Sequence, residues 1–86
     1  MTYQIRVSPV ALKYLKSLSP SLKKRIDDKI LALAKNPRPA GAKTLKGMKG
    51  LLRVRVGDYR IIYKVEYERL LILIIKIGHR GDVYRH

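Results

Sequence analysis

The sequence predicts an α+β fold: an N-terminal strand, a two-helix hairpin and then an antiparallel meander sheet. Three observations predict it. Apolar and polar residues alternate along residues 3–8, as in a strand. Ser8-Pro9 and Ser19-Pro20 each combine a helix N-cap residue with a first-turn proline. Beyond Gly50 the apolar period is again two, on both sides of the turn pair Gly57-Asp58.

Each predicted helix carries one apolar stripe. The first helix is about ten residues long, and its stripe consists of Ala11, Tyr14, Leu15 and Leu18. The stripe of the second helix consists of Leu22, Ile26, Ile30 and Leu33. Asn36-Pro37 stops the second helix. Because the connection between the helices is short, we expect an antiparallel hairpin.

The second half of the chain is predicted to be mainly β-structure. Residues 38–50 are rich in Pro, Gly and Lys, and they are predicted to be a loop. Apolar residues then alternate along residues 52–56 and again along residues 59–66. The two-residue turn Gly57-Asp58 joins these strands into a hairpin.

The remaining strands have a different pattern. Residues 70–77 are apolar at nearly every position, as expected of a central strand with two covered faces, and Gly78 is expected to end it. Residues 82–84 are a candidate short last strand. Since no repeat, low-complexity tract or linker divides the chain, residues 1–86 are expected to form a single domain.

The strongest functional signal is charge. Twenty Lys and Arg against six Asp and Glu give a formal net charge of +14. Such self-repulsion usually persists where a polyanion or an acidic partner neutralises it. Nucleic acid is the favoured partner, and an anionic membrane, an acidic protein and a merely solvated basic surface are the alternatives.

Composition excludes other classes of protein. There is no cysteine, so disulfide and thiolate chemistry are absent. The first residues contain no apolar stretch long enough for a signal peptide. The longest apolar run, residues 70–75, is far shorter than the roughly 20 residues of a membrane span. We therefore expect a soluble, cytoplasmic protein without a membrane partner.

The arginines of the predicted hairpin share one face. With Gly57-Asp58 as the turn, Arg55 faces Arg60, and Arg53 faces Ile62. Like charges opposite each other in a hairpin are destabilising. Charged protection of an edge strand is the structural alternative, but lysines would serve that purpose equally well. Arginine at all three positions favours a bound phosphate, because a guanidinium group recognises phosphate with several donors.

Other residue types limit the chemistry. Only two histidines are present, His79 and His86, and we expect His79 to be structural. No carboxylates are spaced for metal or acid–base work, and no Gly-rich phosphate loop follows a strand. A nuclease of this composition would be metal-independent and free of cofactors, which favours RNA because its 2′-OH can act as nucleophile. Arg80 can reach the arginine region, and Tyr84 offers a phenol for stacking or proton transfer.

The predicted loop adds three more cations, Lys43, Lys46 and Lys49. They are candidates for contacts with RNA phosphates, and a solvated loop is the alternative. If they bind RNA, the association weakens steeply as salt increases.

The segment LKGMKGLLRVRVGDYRIIY, followed by IIKIGHRGDVYR, resembles the RelE/ParE toxin superfamily over the whole chain. G-D-Y-R-I-I-Y is the most specific part, and G-H-R-x-x-V-Y supports it. The resemblance implies a RelE-like fold and a cognate, RelB-like antitoxin protein. It favours the RelE branch, whose members cleave mRNA in the ribosomal A site, over the ParE branch, whose members inhibit DNA gyrase. A basic nucleic-acid-binding module without chemistry is the third hypothesis.

The resemblance also implies which residues act. RelE-type activity is carried by basic residues of the hairpin, an arginine after the last long strand and a tyrosine near the end. These positions correspond to Arg53, Arg55, Arg60, Arg80 and Tyr84. Well-known members have lysines in the first pair, and an arginine, unlike a lysine, cannot serve as a base. The hairpin arginines are therefore expected to bind phosphate, Tyr84 to accept the 2′-OH proton and Arg80 to help the 5′-oxygen leave.

Overall fold

The computed structural model of the protein describes residues 2–79. Two helices pack against one face of a five-stranded sheet. In chain order the elements are β1 (Gln4–Val7), α1 (Pro9–Lys16), α2 (Pro20–Lys35), β2 (Lys43–Thr44), β3 (Leu51–Val56), β4 (Tyr59–Glu66) and β5 (Leu71–His79).

Both helices begin at the predicted Ser-Pro pairs. The Ser8 hydroxyl accepts a hydrogen bond from the Ala11 N–H at 3.1 Å, and the Ser19 hydroxyl accepts one from the Leu22 N–H at 3.4 Å. These bonds satisfy N–H groups that the first turn of a helix leaves without partners. α1 is eight residues long, shorter than predicted, because the chain turns after Lys16. Neither helix is long and apolar enough to cross a membrane, as far as residues 2–79 are concerned.

The strand order is β1-β5-β4-β3-β2. β3, β4 and β5 form the predicted antiparallel meander. β1 pairs in parallel with β5, from Gln4 opposite Leu71 to Val7 opposite Ile74. The parallel pairing requires a long crossover, and the two helices are part of it.

Part of the predicted loop 38–50 is a strand. β2 is only two residues long, and Lys43 lies opposite Arg53 in β3. A strand this short carries no detectable period of two, so the pattern of the sequence did not predict it.

The prediction for the last long strand is wrong at both ends. Leu70 lies in a turn with a φ of +51°, outside the strand. Gly78 does not end β5: it pairs with Arg60, and the strand continues to His79. Pairing with β4 keeps Gly78 within the strand, although a glycine at this point of the local sequence indicates the end of a strand. The candidate strand at residues 82–84 lies outside the described residues.

The core lies between the helices and the covered face of the sheet. The buried cluster contains residues of both helices and of β3, β4 and β5: Ala11, Leu15, Ile26, Ile30, Leu33, Leu52, Val54, Ile61, Tyr63, Ile72, Ile74 and Ile77. The predicted apolar stripes of the helices face this cluster. Tyr63 is fully buried, and its hydroxyl donates a hydrogen bond to the Pro37 carbonyl at 2.6 Å.

Candidate functional site

The hairpin of β3 and β4 sets the geometry of the candidate site. Arg55 lies opposite Arg60, and Arg53 lies opposite Ile62, as predicted. Residues opposite each other in a ladder point to the same face, and successive residues alternate between faces. The three arginines therefore lie on the face of the sheet that the helices leave uncovered, which we call the open face.

The three arginines differ in depth. Arg60 is 9% exposed, Arg53 is half-buried and Arg55 is exposed. Arg60 is the deepest because β4 is the middle strand of the sheet, with β3 on one side and β5 on the other. Its neighbour in β5 is Gly78, from which no side chain projects. The open face thus holds one guanidinium at depth and two nearer its surface.

Further cations share the open face, and sequence reasoning missed them. The ladder pairs of the sheet assign to this face Arg6, Lys64 and Lys76. Lys64 lies two residues beyond Ile62 and four beyond Arg60, so the alternation of β4 predicts that it shares their face. The alternation in β1 put Arg6 on the polar face of its strand, but its place next to β5 depends on the parallel pairing of the two strands.

The loop lysines divide into two groups. Lys43 is exposed in β2 and lines a groove together with Arg53 and Arg55. Lys46 and Lys49 are exposed in the turn between β2 and β3, and they do not line that groove. The structure therefore brings only Lys43 next to the hairpin arginines.

The charges of Arg53 and Arg55 have no acidic partner among residues 2–79. The ion pairs of this part of the chain join Lys23 to Asp27, Lys24 to Asp28 and Arg69 to Glu66. The first two are pairs along α2, and the third lies at the turn between β4 and β5. The guanidinium groups of Arg53 and Arg55 are consequently available to bind an anion that is not part of residues 2–79.

The described histidine lies away from the arginines. His79 is opposite Tyr59, and their rings meet edge to face with centroids 5.3 Å apart. Tyr59 belongs to the face that the helices cover, so His79 does not share the open face. Arg80, Tyr84 and His86 lie outside the described residues.

Two other features of the described chain bear on chemistry. No group of three or more His, Asp or Glu side chains within residues 2–79 could hold a metal ion. An apolar cavity of about 350 Å³ lies between α1 and the end of β5, with Val10, Tyr14 and Ile77 in its wall. Its lining contains none of the hairpin arginines, so we place the candidate site on the open face and not in this cavity.

The comparisons with known proteins all lead to toxins of toxin–antitoxin systems. A family model described as the ParE toxin of a type II toxin–antitoxin system, parDE, matches residues 5–84. The chain belongs to the RelE/ParE family of toxins. A Methanocaldococcus jannaschii protein given the toxin name RelE1 is 35% identical over 100% of this chain and 99% of its own length. The mRNA interferase toxin RelE of Escherichia coli K12 is 27% identical over 98% of this chain and 92% of its own length.

The fold of this RelE/ParE-family chain is also that of solved relatives. It superposes with a TM-score of 0.82 on a chain of the archaeal RelE–RelB complex from Pyrococcus horikoshii OT3. The two chains are 32% identical, and the match covers 94% of this chain and 98% of the other. The resemblance and the fold class predicted from the sequence are therefore confirmed.

Proposed function

We propose that this RelE/ParE-family toxin is an mRNA interferase that acts in the cytoplasm and cleaves mRNA in the ribosomal A site. The observation that carries the proposal is the register of β3 and β4, which puts Arg53, Arg55 and Arg60 on one open face. Similarity to the E. coli protein named mRNA interferase toxin RelE supports it. Three guanidinium groups on one face suit a phosphodiester better than a neutral ligand.

The proposed reaction uses the RNA's own 2′-OH. Its oxygen bonds to the adjacent phosphorus, and the bond from phosphorus to the 5′-oxygen breaks. The products are a 2′,3′-cyclic phosphate and a 5′-OH. Negative charge increases on the phosphate oxygens in the transition state, and guanidinium groups aimed at that charge lower the barrier. Arg60 is the deepest of the three, so its charge is the least screened by water.

The proton transfers are assigned to residues beyond the described range. An arginine does not lose its proton in a protein, so the hairpin arginines cannot be the base. Tyr84 is proposed to take the proton from the 2′-OH as the new bond forms. Arg80 is proposed to stabilise the 5′-oxygen, which takes up a proton from water as it leaves. The reaction as written requires no metal ion or cofactor.

The proposed partners are RNA and an antitoxin. Lys43, Lys46 and Lys49 are proposed to contact phosphates of ribosomal RNA. A RelB-like antitoxin is proposed as the protein partner, since the P. horikoshii relative was solved as a RelE–RelB complex. A net charge of +14 suits both partners if the antitoxin segment is acidic.

A second candidate function is inhibition of DNA gyrase without nuclease activity. The matching family model, whose description is ParE toxin, favours it. The two functions make opposite predictions for mRNA and for DNA supercoiling. Both can therefore be tested on the same protein sample.

The test is to incubate the protein with translating ribosomes and map the new 5′ ends of the mRNA. Cuts at A-site codons are expected. Arg60→Ala is expected to lower the cleavage rate by roughly 10²- to 10³-fold, because it removes a donor to the transition state. Tyr84→Phe is expected to lower it by roughly 10²-fold or more.

The controls separate the two functions. The double variant Lys16→Gln/Lys35→Gln also loses cations, in the last turns of α1 and α2, and is expected to cleave normally. Intact mRNA together with blocked supercoiling would support gyrase inhibition instead. A normal cleavage rate in Tyr84→Phe would exclude its role as the base.

A further inference from the structure

One edge of β3 has no strand beside it along part of its length. β2 pairs with Leu52 and Arg53 only, so from Val54 to Val56 this edge has no neighbouring strand within residues 2–79. Side chains of α2 line the space beside it. An unpaired strand edge is a place where other molecules can approach the backbone.

Two grooves lie along this edge, and they share part of their walls. The residues lining the first groove are Arg25, Asp28, Lys29, Ala32, Arg55, Val56 and Gly57. The residues lining the second groove are Lys29, Gly41, Lys43, Arg53, Val54 and Arg55. Lys29 and Arg55 belong to both, so the two grooves adjoin each other. Because Arg53 and Arg55 also belong to the open face, the grooves extend the candidate site around the edge of the sheet.

The Arg25 side chain lies beside the hairpin turn. A Cβ atom added to Gly57 would lie only 3.1 Å from Nη2 of Arg25. Gly57 also has a φ of +59°, which glycine adopts without strain. The absence of a side chain at Gly57 therefore lets the turn form and lets the Arg25 guanidinium lie against it, at the same end of β3 as Arg55.

The charges along the two grooves are strongly unbalanced. Five cations line them: Arg25, Lys29, Lys43, Arg53 and Arg55. The one acidic lining residue, Asp28, is paired with Lys24 at 3.2 Å. None of the five cations forms an ion pair within the described part of the chain. Five cations brought together in this way repel one another unless an anion binds among them.

We propose that Arg25 and Lys29 form a second phosphate-binding site, which holds the RNA backbone away from the bond that is cleaved. The proposal rests on the proposed RNA-cleaving function and adds a binding path to it. The RNA strand would run from the open face, past Arg55, to α2. The planar guanidinium of Arg25 suits a phosphate, which accepts more than one of its donors.

The lining favours RNA over an amphipathic helix of a protein partner. An amphipathic helix needs exposed apolar side chains in its groove. The apolar members of these walls are Ala32, Val54 and Val56, and Val54 is 1% exposed. Large exposed apolar side chains such as Val10 and Leu31 do not line the grooves.

The experiment measures binding of a single-stranded RNA that carries 2′-O-methyl groups and therefore cannot be cleaved. Fluorescence anisotropy gives the affinity over a range of salt concentrations for Arg25→Gln/Lys29→Gln and for the matched control Lys16→Gln/Lys35→Gln. Both variants lose two charges. Arg25→Gln/Lys29→Gln is expected to bind the RNA at least about ten-fold more weakly than the wild type. The slope of log affinity against log salt concentration, called the salt slope, is expected to become shallower by roughly 0.7 for each phosphate contact removed. The control is expected to keep the wild-type slope.

Equal slopes and affinities in the two double variants would overturn the proposal, because net charge alone would then explain the binding. It would also be overturned if Arg25→Gln/Lys29→Gln weakened binding of the antitoxin and left RNA binding unchanged. Thermal unfolding followed by circular dichroism checks that the variants fold. Lys29→Gln alone is the second variant, since it leaves the Arg25 side chain beside Gly57 unchanged, and it is expected to lose part of the slope.

Ribosomes distinguish the source of the phosphate. If the site holds mRNA, Arg25→Gln/Lys29→Gln weakens binding only to ribosomes with a codon in the A site. If it holds ribosomal RNA, binding to empty ribosomes weakens equally. In both cases the double variant needs a higher ribosome concentration than the wild type for half-maximal cleavage. Its cleavage rate at saturating ribosomes stays within about two-fold of the wild-type rate. If the wild-type protein does not cleave mRNA, the proposed function fails, and the salt slopes on the blocked RNA still decide this proposal.

Discussion

The two faces of the β3–β4 hairpin are built by the same strands but have opposite surroundings. On the covered face, Val54, Ile61 and Tyr63 are at most 1% exposed and pack in the core cluster with both helices. On the open face, the ladder places Arg55 directly opposite Arg60. The covered face gains free energy from burial, whereas the open face accepts a local repulsion. Alternate residues of one hairpin therefore serve stability and binding, so substitutions can change the two properties separately.

The largest effect on stability is expected on the covered face. Ile61→Ala removes a side chain that is 0% exposed and leaves a cavity under the helices. We expect the free energy of unfolding to fall by about 2–5 kcal/mol. Chemical denaturation measures the change. Leu31→Ala is the control, because Leu31 is 62% exposed and its truncation is expected to change stability by less than about 0.5 kcal/mol. Equal losses in the two variants would contradict the assignment of the covered face.

A smaller effect is expected at Tyr63, also on the covered face. Tyr63→Phe removes the hydrogen bond to the Pro37 carbonyl, and the free energy of unfolding is expected to fall by about 1 kcal/mol.

The pH dependence of stability sharpens this prediction. Burial raises the pKa of Tyr63 to about 12; nearby Arg38 opposes the shift and Tyr67 adds to it. The unfolded phenol loses its proton near pH 10, so ionisation favours the unfolded state between pH 10 and about 12. The stabilisation is fully present below pH 10 and is lost as the pH rises through this range. Between pH 10 and about 12, the free energy of unfolding should therefore fall more in the wild type than in Tyr63→Phe. An equal fall in the two proteins would contradict the burial of the phenol.

The smallest effect, and one of opposite sign, is expected on the open face. Arg55→Thr removes the like charge opposite Arg60, so the free energy of unfolding is expected to rise by about 0.2–1 kcal/mol. The same substitution is expected to slow mRNA cleavage, because it removes a phosphate-binding group. Denaturation at low and high salt checks the cause, since screening reduces the gain. If Arg55→Thr were less stable than the wild type at low salt, the open face would carry no such repulsion.

Much of the fold could be predicted because its signals are local. The Ser-Pro helix starts and the bounds of β4 follow from neighbouring residues. β2 and the left-handed backbone of Leu70 could not be predicted. A two-residue strand has no period, and leucine at positive φ is held there by surrounding contacts, such as the hydrogen bond from the Gln4 N–H to the Leu70 carbonyl.

The shared face of the three hairpin arginines follows from local sequence. A two-residue turn between alternating strands leaves one register that buries the apolar residues, and that register aligns Arg55 with Arg60. Which other cations lie beside them depends on contacts between distant parts of the chain. Arg6 reaches the open face through the parallel pairing of β1 with β5, and Arg25 and Lys29 reach the edge of β3 through the packing of α2. These contacts join residues far apart in the chain, and their geometry depends on how the whole core packs.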